Sequence, residues 1–251
     1  MSIPFKVIIP VRYASTRLPG KPLQMIGEKT LIDHVYQNAI ASSAENVIIA
    51  TDDDRIEDVA RSIGATVIMT STEHKSGTDR IHEALTKMNE PDETIIVNLQ
   101  GDEFGLTSKL INQVADTLHK SSEAEMATLC EEITDKSAFH DKNVVKVVRD
   151  CNNNALYFSR SAIPWVNENN SSTDPRYVEQ PFKHVGIYAY RMKFLKKFAT
   201  LPPCNIEISE SLEQLRALYH GHKIQVEVAC EKHGVEINTK EDLEKARKAV
   251  I

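Results

Sequence analysis

The chain has 251 residues, 41% of them apolar, and a formal net charge of −6. That length buries a substantial core as one α/β domain, with or without an appended lobe, and the acidic balance speaks against general binding to nucleic acid or acidic lipid. Four scattered cysteines (Cys130, Cys151, Cys204 and Cys230) form no CxxC pair, so they read as reduced thiols and not as a disulfide framework or zinc site.

Lys6–Pro10 reads as the first strand. Lys6 and Arg12 bracket too short an apolar run for a signal peptide or membrane span, so a cytoplasmic location is expected. The run Val7-Ile8-Ile9 stops at Pro10 and opens into a loop holding Arg12, Arg17 and Lys21, with Ser15, Thr16 and Gly20 between them. Three cations and exposed amides at the carboxyl end of a first strand suit a polyphosphate, and open α/β sheets bind ligands at that edge. The loop is neither a Walker A sequence nor a GxGxxG turn.

The next predicted elements alternate: helix Thr30–Ala41, strand Asn46–Ala50, helix Arg55–Ile63, strand Ala65–Met69, helix Thr78–Met88, strand Thr94–Leu99 and helix Ser108–His119. Runs such as Val47-Ile48-Ile49 and Ile95-Ile96-Val97 lack alternation, which marks strands covered on both faces. The fold class is therefore α/β, a doubly wound and mostly parallel sheet. Three further clusters fall at strand ends. Asp52-Asp53-Asp54 offers a carboxylate to a base, ribose or metal, or else a helix cap, with Asp53 or Asp54 the better placed for capping. Ser76-Gly-Thr-Asp-Arg80 holds a nucleobase edge or phosphate, or is a plain cap. Gln100-Gly-Asp102 follows an apolar strand; Gly101 permits close approach, and Asp102 is placed to hold Mg²⁺.

Past residue 123 the strands are Glu125–Glu132, Val144–Arg149, Ala155–Ser159 and His184–Tyr190. Asn152-Asn153-Asn154 supplies a hairpin turn. Helices Met192–Ala199 and Ser209–Tyr219, strand Lys223–Cys230 and a helix capped by Thr239 and Asp242 complete the chain. On the Ser209–Tyr219 helix, Glu210, Glu213, Gln214 and Ala217 share one face, with Leu212, Leu215 and Tyr219 towards the other. With no linker in sight, residues 1–251 read as one domain, with a hairpin lobe within residues 125–190.

Several strings resemble the 3-deoxy-manno-octulosonate cytidylyltransferase (CMP-Kdo synthetase) family along nearly the whole chain. They are Arg12-Tyr-Ala-Ser-Thr-Arg-Leu-Pro-Gly-Lys-Pro-Leu, Ser76-Gly-Thr-Asp-Arg, Val97-Asn-Leu-Gln-Gly-Asp-Glu, Ala155-Leu-Tyr-Phe-Ser-Arg, Ile163-Pro-Trp, His184-Val-Gly-Ile-Tyr and Leu212-Glu-Gln-Leu-Arg. The resemblance implies a nucleotide-diphospho-sugar transferase-like fold and transfer of CMP from CTP to the sugar acid Kdo, for lipopolysaccharide assembly. It implies Arg12, Ser15, Arg17, Lys21, Ser76, Arg80 and Gln100 around the nucleotide, with Arg12, Lys21 and Asp102 carrying the catalysis. Gln100, Arg160, His184, Tyr188, Glu213 and Gln214 fall to the sugar, and Asp102 with position 238 to Mg²⁺. The implied partners are small molecules and a second copy of the chain, joined through the hairpin region, with no nucleic acid or membrane.

Two departures stand out. Ile237-Asn-Thr-Lys-Glu-Asp242 carries Asn238 where the family has a metal-binding aspartate. At about 4 Å and an effective dielectric near 20 the missing charge is worth roughly 4 kcal/mol, and about twice that toward a divalent ion, before desolvation. Weakened metal binding is expected, with Glu236 or Asp242 as conceivable substitute ligands and Asp242 the better helix cap. Secondly, Phe104-Gly105-Leu106-Thr107 replaces a proline-containing loop, bulkier at one point and looser at the next. These changes raise two alternatives: a related 3-deoxy sugar acid as substrate, or a catalytically impaired nucleotide-binding paralogue.

Overall fold

The computed structural model describes residues 3–14, 18–74, 76–165 and 180–249. The first half runs β1 (Phe5–Val11), β2 (Met25–Ile26), β3 (Lys29–Thr30), α1 (Leu31–Ile40), β4 (Asn46–Thr51), α2 (Asp54–Ser62), β5 (Thr66–Met69), α3 (Gly77–Met88), β6 (Ile95–Asn98) and α4 (Ser108–Lys120). The second half runs β7 (Met126–Glu132), α5 (Lys136–His140), β8 (Lys146–Arg149), β9 (Ala155–Ser159), β10 (Phe182–Arg191), α6 (Met192–Phe198), α7 (Asn205–Glu210), α8 (Leu215–Tyr219), β11 (Ile224–Val228) and α9 (Lys240–Ala249).

One sheet has the order β11-β7-β10-β6-β1-β4-β5, with β8 and β9 branching from β10. β1 pairs in parallel with β4 and β6, as β4 does with β5 and β7 with β11. β10 is the reversed strand, antiparallel to β6 and β7. Period-two alternation then fills both faces. Val7 and Ile9 share a core with α1, α2, α4 and α9 through Ile32, Val35, Ile56, Val114 and Leu243. Ile8 faces the other way, onto Ile81 and Leu85 of α3, Phe194 and Phe198 of α6, and Leu215 of α8. The unalternating apolar strands are thus covered on both sides, as expected.

Helix starts follow local chemistry. Thr30, Asp53 and Ser76 accept from the backbone N–H groups of Asp33, Arg55 and Asp79, and Thr239 and Asp242 cap α9 reciprocally. The β8–β9 hairpin turns at Asn153, which has φ 61°, and the Asp150 carboxylate gathers the N–H groups of Asn152 and Asn154.

The predicted helix Ser209–Tyr219 is two helices. Ser211, with φ 53°, sits in the left-handed region and ends α7, and its N–H closes on Ile208 C=O. The two-faced assignment across residues 210–219 fails with it: Tyr219 is 61% exposed, whereas Gln214, Leu215 and Ala217 are all buried. No helix among the described residues is long and apolar enough to cross a membrane.

Candidate active site

The carboxyl ends of β1 and β6 and the start of α3 enclose a cavity of about 590 Å³. Arg12, Lys21, Ser76, Arg80, Gln100 and Asp102 all stand on its wall. Ser15 and Arg17 lie outside the described residues. The six side chains come from three separate stretches, gathered because parallel strands put their exits on one edge.

Lys21 is the best-defined member. Gly20 precedes it with φ 63°, and a Cβ there would meet the Tyr13 hydroxyl at 3.0 Å, so glycine permits the turn. A short 3₁₀ turn over Lys21–Leu23, with Pro22 in its first positions, then follows and carries Lys21 inward. Its Nζ donates to Asp102 Oδ2 at 2.6 Å, Ile237 C=O at 2.9 Å and Asn238 Oδ1 at 3.4 Å. Arg12 is exposed at the mouth. Beside it, Tyr13 is covered by the Arg55 guanidinium, 3.3 Å from the ring centroid.

The three aspartates after β4 divide their work. Asp53 caps α2 and takes Nε and Nη2 of Arg55 at 2.9 and 2.7 Å; the Arg55 hydrogen bond, against slight burial, holds its carboxyl below the usual range. Asp52 accepts from Arg80 Nη2 at 2.5 Å, and Arg80 Nη1 reaches Thr70 Oγ1. Arg80 is only 3% exposed, so it is a fixed wall cation oriented by Asp52. Asp54 is the first residue of α2. Among the described residues no three His, Cys, Asp or Glu side chains gather to hold a metal.

Asp102 and Asn238 nevertheless fit a hard divalent cation. Their side-chain oxygens converge on the Lys21 ammonium, a cation already seated between them, and hard oxygen donors are what Mg²⁺ prefers. Asp242 is engaged as the helix cap, accepting from Thr239 N–H and Oγ1, both at 2.9 Å. The loop after Asp102 is not loose. Gly105 N–H donates to Val235 C=O at 3.0 Å and Gly234 N–H to Gly105 C=O at 3.1 Å. A Cβ on Gly105 would come within 2.3 Å of the Gly234 backbone. His233 Nε2 meets Glu103 at 2.7 Å beneath this staple. The segment bearing Asn238 is therefore zipped to the loop bearing Asp102.

A second group flanks Gln100. Tyr188 lies opposite Asn98 in the β10–β6 register, and His184 stacks beside it with ring centroids 5.2 Å apart. A bulge between Val185 and Tyr188 shifts the register of β10 against β7. Thr128 Oγ1 lies 2.7 Å from Ile187 C=O, to which its one proton goes, so His184 Nε2–H donates to it at 2.9 Å. That leaves Nδ1 as an acceptor. Burial pushes the His184 pKa down to about 3 and raises that of the Tyr188 phenol, so both stay neutral near pH 7.

Glu213 joins the two groups. Its Oε2 accepts from Thr78 Oγ1, on the first turn of α3, at 2.6 Å. Oε1 is buried and lies 3.8 Å from Arg216 Nη2, an ion-pair contact too long to be a hydrogen bond. Burial raises the Glu213 carboxyl against the Thr78 and Ser76 hydrogen bonds. Gln214 beside it is buried.

Arg160 is held by groups the sequence did not single out for that task. Its Nε donates to Glu210 C=O at 2.8 Å and its Nη1 to Lys142 C=O at 3.1 Å. The Glu210 carboxylate takes Arg160 N–H and Ser159 Oγ. Lys146, fully buried, donates to the carbonyls of Asp141, Val144 and Arg160 at 2.9, 2.6 and 2.7 Å. The one available signal was a lysine inside the apolar run Val144-Val-Lys-Val-Val148.

A basic cradle with a carboxylate at the strand ends of a doubly wound sheet is the arrangement of a nucleotidyltransferase. Residues 6–224 match the family described as Cytidylyltransferase. The chain is 50% identical to the 3-deoxy-manno-octulosonate cytidylyltransferase of Thioalkalivibrio sulfidiphilus (strain HL-EbGR7), over 97% of this chain and 98% of that protein. It is 48% identical to that of Vibrio cholerae serotype O1 (strain M66-2), over 98% and 97%. A solved structure of CMP:2-keto-3-deoxy-manno-octonic acid synthetase complexed with CTP superposes with a TM-score of 0.88 at 38% identity, covering 98% of each chain. This chain belongs to the 3-deoxy-manno-octulosonate cytidylyltransferase family.

Proposed function

We propose that the protein transfers CMP from CTP to the anomeric hydroxyl of 3-deoxy-D-manno-octulosonate, releasing pyrophosphate. The observation that carries this reading is the convergence of Arg12, Lys21, Ser76, Arg80, Gln100 and Asp102 on one cavity, in a chain similar to a synthetase complexed with CTP. The comparisons lend no support to a different sugar acid or to an impaired paralogue.

Catalysis is positioning and charge neutralisation. Arg12, Arg17 and Lys21 offset the phosphates, with Ser15, Ser76, Arg80 and Gln100 holding the nucleotide. Arg160 pairs with the sugar carboxylate, while His184 Nδ1, Tyr188, Glu213 and Gln214 read hydroxyls. Asp102 and Asn238 would hold Mg²⁺, which when bound would supply charge for the phosphates and lower the pKa of the attacking hydroxyl. No side chain is assigned as a general base.

The product serves lipopolysaccharide assembly in the cytoplasm in this reading. Homodimerisation through the hairpin region is supported by Leu156 and Trp165, 59% and 81% exposed. The test is incubation with CTP, Kdo and Mg²⁺ while following pyrophosphate. Sugar-dependent release is expected; nucleotide binding without release would overturn the proposal.

A further inference from the structure

Asn238 is gripped from two sides by opposite charges. Its Nδ2 donates to Glu236 Oε1 at 2.6 Å, and its Oδ1 accepts from Lys21 Nζ at 3.4 Å. An amide's oxygen and nitrogen are told apart by such partners. The flipped amide would press its NH₂ on an ammonium and its oxygen on a carboxylate, so the orientation is fixed. The oxygen thereby shares the Lys21 ammonium with Asp102, whose Oδ2 meets it at 2.6 Å. Ile237 between them is fully buried, with its N–H on Asp102 C=O at 3.2 Å. On either side of that anchor, the Glu236 and Asn238 side chains meet each other.

We infer that Glu236 is a positioning residue of the cation site. It aims the Asn238 oxygen at the ammonium shared with Asp102, and one hydrogen bond further back it returns the negative charge that the amide lacks. This rests on the reading of Asp102 and Asn238 as the divalent-ion site. A carboxylate that orients a metal ligand raises affinity about tenfold to a hundredfold, and the exposure of Glu236 places it at the low end.

The sign of the effect depends on what stands in front of the carboxylate. Behind Asn238, Glu236 strengthens cation binding. Behind the Asn238→Asp variant it faces a like charge and gains nothing by orienting a symmetric carboxylate. The test is Mn²⁺ binding followed by electron paramagnetic resonance on the nucleotide-free protein, alongside the Mg²⁺ concentration for half-maximal pyrophosphate release. Glu236→Gln is expected to weaken Mn²⁺ about tenfold in the natural sequence and to be neutral or favourable in the Asn238→Asp background. Melting curves confirm folding of each variant.

A loss of the same size in both backgrounds, or no loss in either, overturns the inference. Asp102→Asn separates the two levels. If it abolishes Mn²⁺ binding while Glu236→Gln is silent, only the positioning role falls. If Asp102→Asn is itself silent, or the unaltered protein binds no Mn²⁺, the site reading falls and the inference with it.

Discussion

Replacing Lys21 with methionine keeps the stem and deletes the charge. In the free protein the ammonium sits 2.6 Å from Asp102 Oδ2, and two further oxygens share it. At that separation and an effective dielectric near 20 the gross attraction is roughly 6 kcal/mol. Most of it is offset by desolvation, since the Lys21 and Asp102 side chains are 12% and 28% exposed and the carboxylate regains water when its partner goes. The net loss of stability is therefore about 1–2 kcal/mol. The reaction is affected more, because charge develops on the departing pyrophosphate and Lys21 is the cation held beside Asp102 by three fixed oxygens, a placement that exposed Arg12 does not duplicate. Removing one such preorganised donor costs about 10²–10³-fold. Thus kcat/KM for CTP, from initial rates of pyrophosphate release, should fall by that factor while a urea melt shows a folded protein. Activity within about threefold of the unaltered enzyme would refute the reasoning, as would a loss explained by unfolding.

Two other predictions concern the sugar side. Lys146→Met removes the buried ammonium from three part-buried carbonyls, those of Asp141, Val144 and Arg160; it should cost about 1–3 kcal/mol in urea unfolding and raise KM for the sugar more than for CTP, and a change below about 0.5 kcal/mol would show the ammonium is dispensable. His184 has its pKa lowered from 6.5 to about 3 by burial, so the unfolded chain binds the extra proton between those values. Its contribution to stability is whole above pH 6.5 and is lost as pH falls toward 3, with a limiting slope of about 1.4 kcal/mol per pH unit. His184→Gln should flatten the stability profile between pH 5 and 6.5; an unchanged slope would contradict the buried, neutral imidazole.

How much of this was legible in the sequence depends on how local each cause is. Strands buried on both faces announce themselves by unbroken apolar runs, and Val7-Ile8-Ile9 does feed two opposite cores. Caps are local too, which is why Ser76, Asp53 and the Thr239–Asp242 pair were readable. The α7–α8 break was not, because serine has no special preference for the left-handed conformation that Ser211 adopts. The two-residue strands β2 and β3 and the five-residue α5 are too short to show a period. The charged groups were visible, but their pairing was not. Asp52 meets Arg80 28 residues on, and Lys21 meets Asn238 217 residues on. Only the closed fold shows that Asp52 orients a cation, that Asp53 steadies Arg55 against Tyr13, and that the Gly105 loop is stapled to the segment bearing Asn238.

The central claim is that the cradle around Lys21 and Asp102 grips the triphosphate of CTP. The most direct measurement is a crystal structure of the protein soaked with CTP and Mg²⁺. The phosphates should lie against Arg12 and Lys21, with the ion bridging them to Asp102 and Asn238. A nucleotide bound elsewhere, or a cavity left without density while CTP saturates the protein in solution, would contradict the account.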